Sequence, residues 1–202
     1  MKTFCTSLLT TLVASTGLAF AQAPAKTDAK PAAPTKAGSC SSVKLTTTMG
    51  PITIALNREK APISVDNFVK YVQSGHYNGT IFHRVIGTFM IQGGGFTKDM
   101  QQKATNAPIK IESSNGLKNE PYSVAMARTP APNSATSQFF INVVDNQMLN
   151  YVDDMKPGYA VFGKVTSGQD TVDKIKAVPV GNSGPHQNVP TTPVVIEKAE
   201  CL

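Results

Sequence analysis

The chain of 202 residues has no tryptophan, three cysteines, three histidines and no run of like charge. These absences remove several classes of chemistry. His76, His83 and His186 lack ligand spacing with the cysteines of the folded region, so no metal site is expected. There is no G-x-S-x-G elbow, no H-E-x-x-H and no P-loop, and Gly93-Gly94-Gly95 lacks the spacing of a dinucleotide fingerprint. Hydrolase, zinc-enzyme and nucleotide readings lose their support, and no cofactor is expected. The absence of a basic run, an aromatic platform or zinc-finger spacing argues equally against nucleic acid as a partner.

Long apolar runs are also missing. Only Leu8 to Phe20 comes near one, behind Lys2 and ahead of the small-x-small pattern Ala19-Phe20-Ala21. It is too short to span a bilayer comfortably, so residues 1–21 read as a cleaved export signal and the mature protein as having no membrane span. Residues 22–39, rich in alanine, proline, lysine and threonine, contain no large apolar side chain and read as a solvated linker. The formal charge of +6 shrinks under this division: residues 40–202 hold 15 basic and 12 acidic residues, a net +3. That is an ordinary mixed surface.

Cys5 departs with the signal, leaving Cys40 and Cys201 at the two ends of the folded region. In an exported protein two such cysteines invite a disulfide. If the terminal strands are neighbours, closing so long a loop contributes up to ~4 to 5 kcal/mol on the chain-entropy model.

Within the domain, Val43 to Thr48 and Pro51 to Asn57 read as a hairpin around Met49-Gly50, with Ile52, Ile54 and Leu56 on one face. Pro62 and Ser64 open a helix whose Val65, Phe68, Val69 and Val72 form one apolar stripe, and Gly75 is placed to end it. Short apolar runs follow at Thr80 to Ile86, Phe89 to Gln92, Tyr122 to Met126, Gln138 to Val144, Ala160 to Val165 and Val194 to Lys198. A second helix is expected around Thr171 to Val178. Many short strands and two helices suit a mainly β fold, a sandwich or barrel with helices as caps.

The stretch from Phe82 to Phe96, FHRVIGTFMIQGGGF, carries the most functional information. Arg84 is set among Phe82, Val85, Ile86, Phe89, Met90 and Ile91, and a cation in such company needs a specific partner or a specific job. His83 beside it points to the opposite face in strand geometry and reads as a structural histidine.

YNGTIFHRVIGTFMIQG, from Tyr77 to Gly93, resembles the signature of the cyclophilin-type peptidyl-prolyl cis-trans isomerases, and SATSQFFINV, from Ser134 to Val143, resembles that family's second core segment. The similarity runs from about Val43 to Ile196, and MARTPAPNSATSQFFINVVDN, with the export signal, is most similar to the bacterial periplasmic branch. The resemblance implies a closed eight-stranded antiparallel β-barrel capped by two α-helices. The expected activity is cofactor-independent rotation about X-Pro bonds in exported polypeptides, assisting their folding. Arg84 matches the catalytic arginine. Phe89, Met90, Phe140 and Leu149 match the pocket for the proline ring, and Gln92 matches the side chain that meets the substrate carbonyl and helps place the arginine. Ala127, Arg128 and Thr129 match the segment that pairs with substrate through its main chain, which makes the Arg128 backbone more important than its side chain. Tyr159 falls near the family's pocket histidine.

Three departures stand out. Met148 occupies the position where many members carry tryptophan, so weak cyclosporin binding is expected. The segment NYVDDMKPGY is longer than in compact members, and Gly87-Thr88 replaces a common Pro-Gly. A monomer is expected, with proline-containing unfolded or flexible chains as partners. The competing reading is a proline-segment binding module or holdase with negligible turnover, because the clamp residues serve both roles.

Overall fold

The computed structural model describes residues 40–202, so the signal and linker assigned to residues 1–21 and 22–39 lie outside the described residues. The chain opens with β1 (Ser42–Thr47) and β2 (Gly50–Leu56), which form the expected hairpin with Val43, Leu45, Ile52 and Ile54 fully buried. Helix α1 (Pro62–Gln73) follows, with the apolar stripe Val65, Phe68, Val69 and Val72 buried against the sheet. Its N-cap residue Ala61 has no side-chain oxygen to offer. Glu112 acts in its place: Oε1 accepts from Ile63 N at 2.9 Å, and Oε2 accepts from Ser64 N and Oγ at 2.7 Å. A carboxylate there satisfies open N–H groups and meets the positive end of the helix dipole.

β3 (Thr80–Ile86), β4 (Met90–Thr97), β5 (Ser123–Met126), β6 (Phe139–Asn142), β7 (Val161–Ser167), β8 (Val180–Ser183), β9 (His186–Pro190) and β10 (Val195–Cys201) complete the strands, with α2 (Gln169–Lys176) between β7 and β8. Eight of them close in the order β1-β10-β3-β4-β6-β5-β7-β2, each paired antiparallel with its neighbours. The barrel has no open edge. Phe68 of α1 enters its core, 5.0 to 5.4 Å from the rings of Tyr77, Phe139 and Phe162. Cys40 and Cys201 form a disulfide with Cα atoms 5.3 Å apart, joining the β1/β10 seam across 161 residues of sequence.

Two regions differ from expectation. β4 does not stop at Gln92 but runs through the triple glycine. A Cβ on Gly94, whose φ is +84°, would come within 2.8 Å of the Tyr77 ring, and one on Gly95 within 2.5 Å of Gln138. These glycines are close-approach positions within the sheet. β8 and β9 form a separate hairpin whose polar, alternately exposed residues gave no apolar period to read.

Candidate active site

Strand alternation sorts the side chains of the barrel wall into two sets. Val85, Ile91, Val124 and Ile141 join the interior core, whereas Met90, Ala125, Phe140 and Val161 form a separate cluster outside it. The register then aligns one outer row. Arg84 faces Gln92, Gln92 faces Phe140, Phe140 faces Ala125, and Ala125 faces Val161, across five adjacent strands. Directly opposed residues share a face, so the row brings a cation, an amide and an aromatic ring side by side.

Over this row lies a pocket of about 150 Å³ lined by Arg84, Phe89, Met90, Gln92, Ala127, Arg128, Phe140, Leu149 and Tyr159. A cavity of roughly that volume accepts one small ring. Met90 and Phe140 form its buried floor, and Phe89, Leu149 and Tyr159 its half-buried rim. Tyr159 meets Phe140 edge-on, with centroids 5.5 Å apart.

The polar groups are held separately. Arg84 Nη1 lies 4.0 Å from Met90 Sδ, and among the described residues no carboxylate is within salt-bridge distance of its guanidinium. Gln92 Nε2 donates to Gln138 Oε1 at 2.9 Å, so the contact fixing Gln92 is Gln138. Ala127 N donates to Gln138 O at 3.0 Å, whereas the Thr129 N–H is turned inward to Ser134 Oγ at 2.9 Å. Among the described residues no hydrogen bond uses the Arg128 main-chain N–H or C=O.

The structure thus gathers nine of the sequence-derived site residues around one pocket. Thr129 lies in an adjoining polar pocket of about 180 Å³ that shares Gln92, Ala127 and Arg128. Met148, on a short 3-10 turn (Gln147–Leu149), is 77% exposed and faces a third depression beyond Tyr159. A larger cavity of about 570 Å³, lined in part by Arg58, Leu117 and Lys164, contains none of the row's polar residues. Size alone therefore does not identify the site.

Sequence reasoning missed the residues that hold the rim. Asn119, Asn142 and Asn146 are buried and joined: Asn142 Nδ2 donates to Asn119 Oδ1 (3.1 Å) and Ser123 Oγ (2.9 Å), and Asn146 Nδ2 to Asn142 Oδ1 (2.7 Å). The network ends on the rim itself, with Asn146 Nδ2 donating to Phe89 O at 2.8 Å and Asn119 Nδ2 to Leu149 O at 3.0 Å. The Arg128 side chain also has a larger part than expected. Its Nε and Nη2 donate to Gly158 O at 2.9 and 2.8 Å, and its guanidinium lies 4.6 Å from the Tyr159 ring centroid.

His83 sits at the register shift between Phe82 and Arg84, where strict alternation does not hold, and is buried against Phe96, with ring centroids 4.6 Å apart. Burial, then the nearby His186, lowers its pKa to about 4 against a backbone hydrogen bond to Ile81 that raises it. A neutral imidazole packed away from the pocket is structural. Among the described residues no group of three or more His, Cys, Asp or Glu is placed to hold a metal ion.

The comparisons with known proteins agree with this geometry. The family model for "Cyclophilin type peptidyl-prolyl cis-trans isomerase/CLD" matches residues 42–201. Peptidyl-prolyl cis-trans isomerase cyp18 of Streptomyces antibioticus is 61% identical over 80% of this chain and 99% of its own length. Peptidyl-prolyl cis-trans isomerase A of Dickeya dadantii is 58% identical over 79% and 84% respectively. Among solved structures, a cyclophilin-type isomerase of Cryptosporidium parvum, determined in the presence of the dipeptide Ala-Pro, superposes with a TM-score of 0.66 at 26% identity. That match covers 80% of this chain and 98% of the other. The closed barrel, the pocket on its outer wall and the extent of these matches make the chain a member of the cyclophilin-type peptidyl-prolyl cis-trans isomerases.

Proposed function

We propose that the protein isomerises X-Pro bonds of exported polypeptides in the periplasm, with Arg84 stabilising the twisted amide. The export signal read in residues 1–21 and the likeness to peptidyl-prolyl cis-trans isomerase A of Dickeya dadantii support the compartment. No helix among the described residues is long and apolar enough to cross a membrane.

The observation that carries the mechanism is that Arg84, with no ion-pair partner among the described residues, lies in the same row as Gln92 and Phe140. Rotation about a prolyl bond faces a barrier of ~18 to 20 kcal/mol because twisting breaks amide resonance. No bond is made or broken. As the amide twists, the prolyl nitrogen regains a lone pair that the planar ground state lacks. A donor aimed at that atom binds the transition state selectively. Arg84 supplies the donor from a rigid guanidinium, while Met90, Phe140 and the rim grip the proline ring and the other half of the substrate turns. Gln92, fixed by Gln138, presents its remaining amide N–H to the substrate carbonyl, and the Arg128 main chain pairs with the extended peptide. An acceleration of ~10⁵ requires about 7 kcal/mol of such selective binding.

The protein acts as a monomer in this reading and binds cyclosporin weakly, because exposed Met148 offers neither an indole donor nor a fixed wall. The deciding experiment is a protease-coupled assay on a proline tetrapeptide with wild type and Arg84→Ala. A loss of about 10² to 10³ in kcat with intact peptide affinity is expected. Equal rates remove Arg84 from the mechanism, and negligible wild-type turnover favours a binding module.

A further inference from the structure

We infer that the segment between Leu149 and Tyr159 carries a docking shelf for large apolar side chains of the polypeptide whose proline occupies the pocket. The inference rests on the isomerase reading and extends it to substrate selection.

Three features of the segment converge. It is a closed loop: Tyr159 N donates to Leu149 O at 2.9 Å, so the nine residues between them leave and return at one point of the pocket rim. Gly158, with φ +60°, is required at the closure, because a Cβ there would lie 2.5 Å from Leu149 O. Its tip is tightly bonded. Asp153 Oδ1 accepts from Met155 N (2.9 Å) and Lys156 N (2.8 Å), and Val152 N donates to Lys156 O at 3.1 Å. Arg128 bolts the closure to the next segment through Gly158 O.

This ordered loop directs apolar side chains into water. Val152 is 66% and Met155 90% exposed, and with Met148 they make up half of the large hydrophobic residues exposed among the described residues. Scattered exposure needs no explanation, but a cluster on a rigid loop does. These side chains, with Pro130, Pro132 and Pro157, line a depression of about 510 Å³. Arg128 and Tyr159 line both this depression and the proline pocket, so the two adjoin across these side chains. A chain whose proline is seated in the pocket therefore continues past Tyr159 onto an apolar surface. Methionine suits such a surface, since its flexible thioether adapts to varied side chains. The charged groups in its lining are Asp154, Lys156 and Arg128, the last bonded to Gly158 O.

The test uses three fluorescent peptides: an Ala-Ala-Pro-Ala core, the core with a Leu/Phe-rich extension after the proline, and the core with the same extension before it. Affinities are measured by anisotropy for wild type and for the double variant V152S/M155S, neither position lying in the proline pocket. One extended series should bind wild type roughly tenfold more tightly than the core, and the double variant should lose that gain while turning over the core peptide normally. Equal affinities for all three peptides, or a gain that survives V152S/M155S, overturns the shelf. A wild-type dimer dissolved by V152S/M155S in sedimentation also overturns it, by assigning the surface to a second copy. Failure of wild type to turn over the core peptide defeats the underlying isomerase reading instead.

Discussion

One side of the candidate pocket is built from strands and the other from loops, and the two are held by different physics. On the strand side, Arg84, Met90, Gln92 and Phe140 are placed by antiparallel register and by the alternation that sends Val85, Ile91 and Ile141 inward. On the loop side, Phe89, Leu149 and Tyr159 depend on side-chain hydrogen bonds from Asn119, Asn146 and Arg128. A barrel wall can be altered residue by residue while its backbone ladder persists. A rim held by a buried polar network has no such reserve, because each lost partner strands another polar group.

The sharpest way to break the loop side is Asn142→Leu. The asparagine is fully buried, and its removal leaves Asn119 Oδ1, Ser123 Oγ and Asn146 Nδ2 each short of a partner. A stability loss of ~3 to 5 kcal/mol is expected in denaturant titration. KM should rise as Phe89 and Leu149 loosen, with kcat less affected. If stability and KM stay at wild-type values, the network does not hold the rim.

Arg84→Ala is the matching lesion on the strand side and should have the opposite signature. Its loss of ~3 to 4 kcal/mol belongs to the barrier alone, with the unfolding midpoint nearly unchanged, since Arg84 has no ion pair to lose among the described residues. A large fall in stability would mean that Arg84 also serves the wall.

The two sides also differed in how far they could be read from sequence. Arg84, Gln92 and Phe140 lie in short apolar runs and in segments similar to the family's, so both their strands and their shared pocket were legible. Asn119 and Asn146 fell between the apolar runs and Asn142 within one, and none stood out, because an asparagine gives no local sign that its partner is a carbonyl 30 or 57 residues away. Arg128 was read for its backbone, and its side-chain bonds to Gly158 depend on a loop conformation that no periodicity encodes. The β8–β9 hairpin was missed for the related reason that its strands bury little. The triple glycine suggested the end of a strand until Tyr77, Phe139 and Gln138 were seen packed against it.

His83 tests whether the contact with Phe96, at the register shift beside Arg84, is as passive as the packing implies. Its folded pKa of about 4 lies below the ordinary 6.5, so between those values the unfolded chain takes up a proton that the folded chain refuses. Stability therefore falls as pH drops from 6.5 toward 4, by up to ~3 kcal/mol, and this penalty is absent above pH 6.5. His76, whose pKa is also lowered, chiefly by burial, adds a contribution of the same sign. Unfolding curves for wild type and His83→Phe across this range should diverge, the variant showing the shallower slope. Parallel curves would mean that His83 charges in place.

The mildest test separates the Arg128 side chain from its backbone. Lysine keeps the charge at position 128 but cannot direct two N–H groups at Gly158 O, and it sits less well over the Tyr159 ring. Arg128→Lys should therefore cost about 1 kcal/mol, read as a several-fold rise in KM with kcat preserved, because the main chain that we propose pairs with substrate is unchanged. If the side chain mattered only as a charge near the groove, lysine would restore KM fully and alanine alone would raise it. If it mattered only through its backbone, both variants would match wild type. A graded series, with lysine between arginine and alanine, is what a bidentate bolt on the loop side requires.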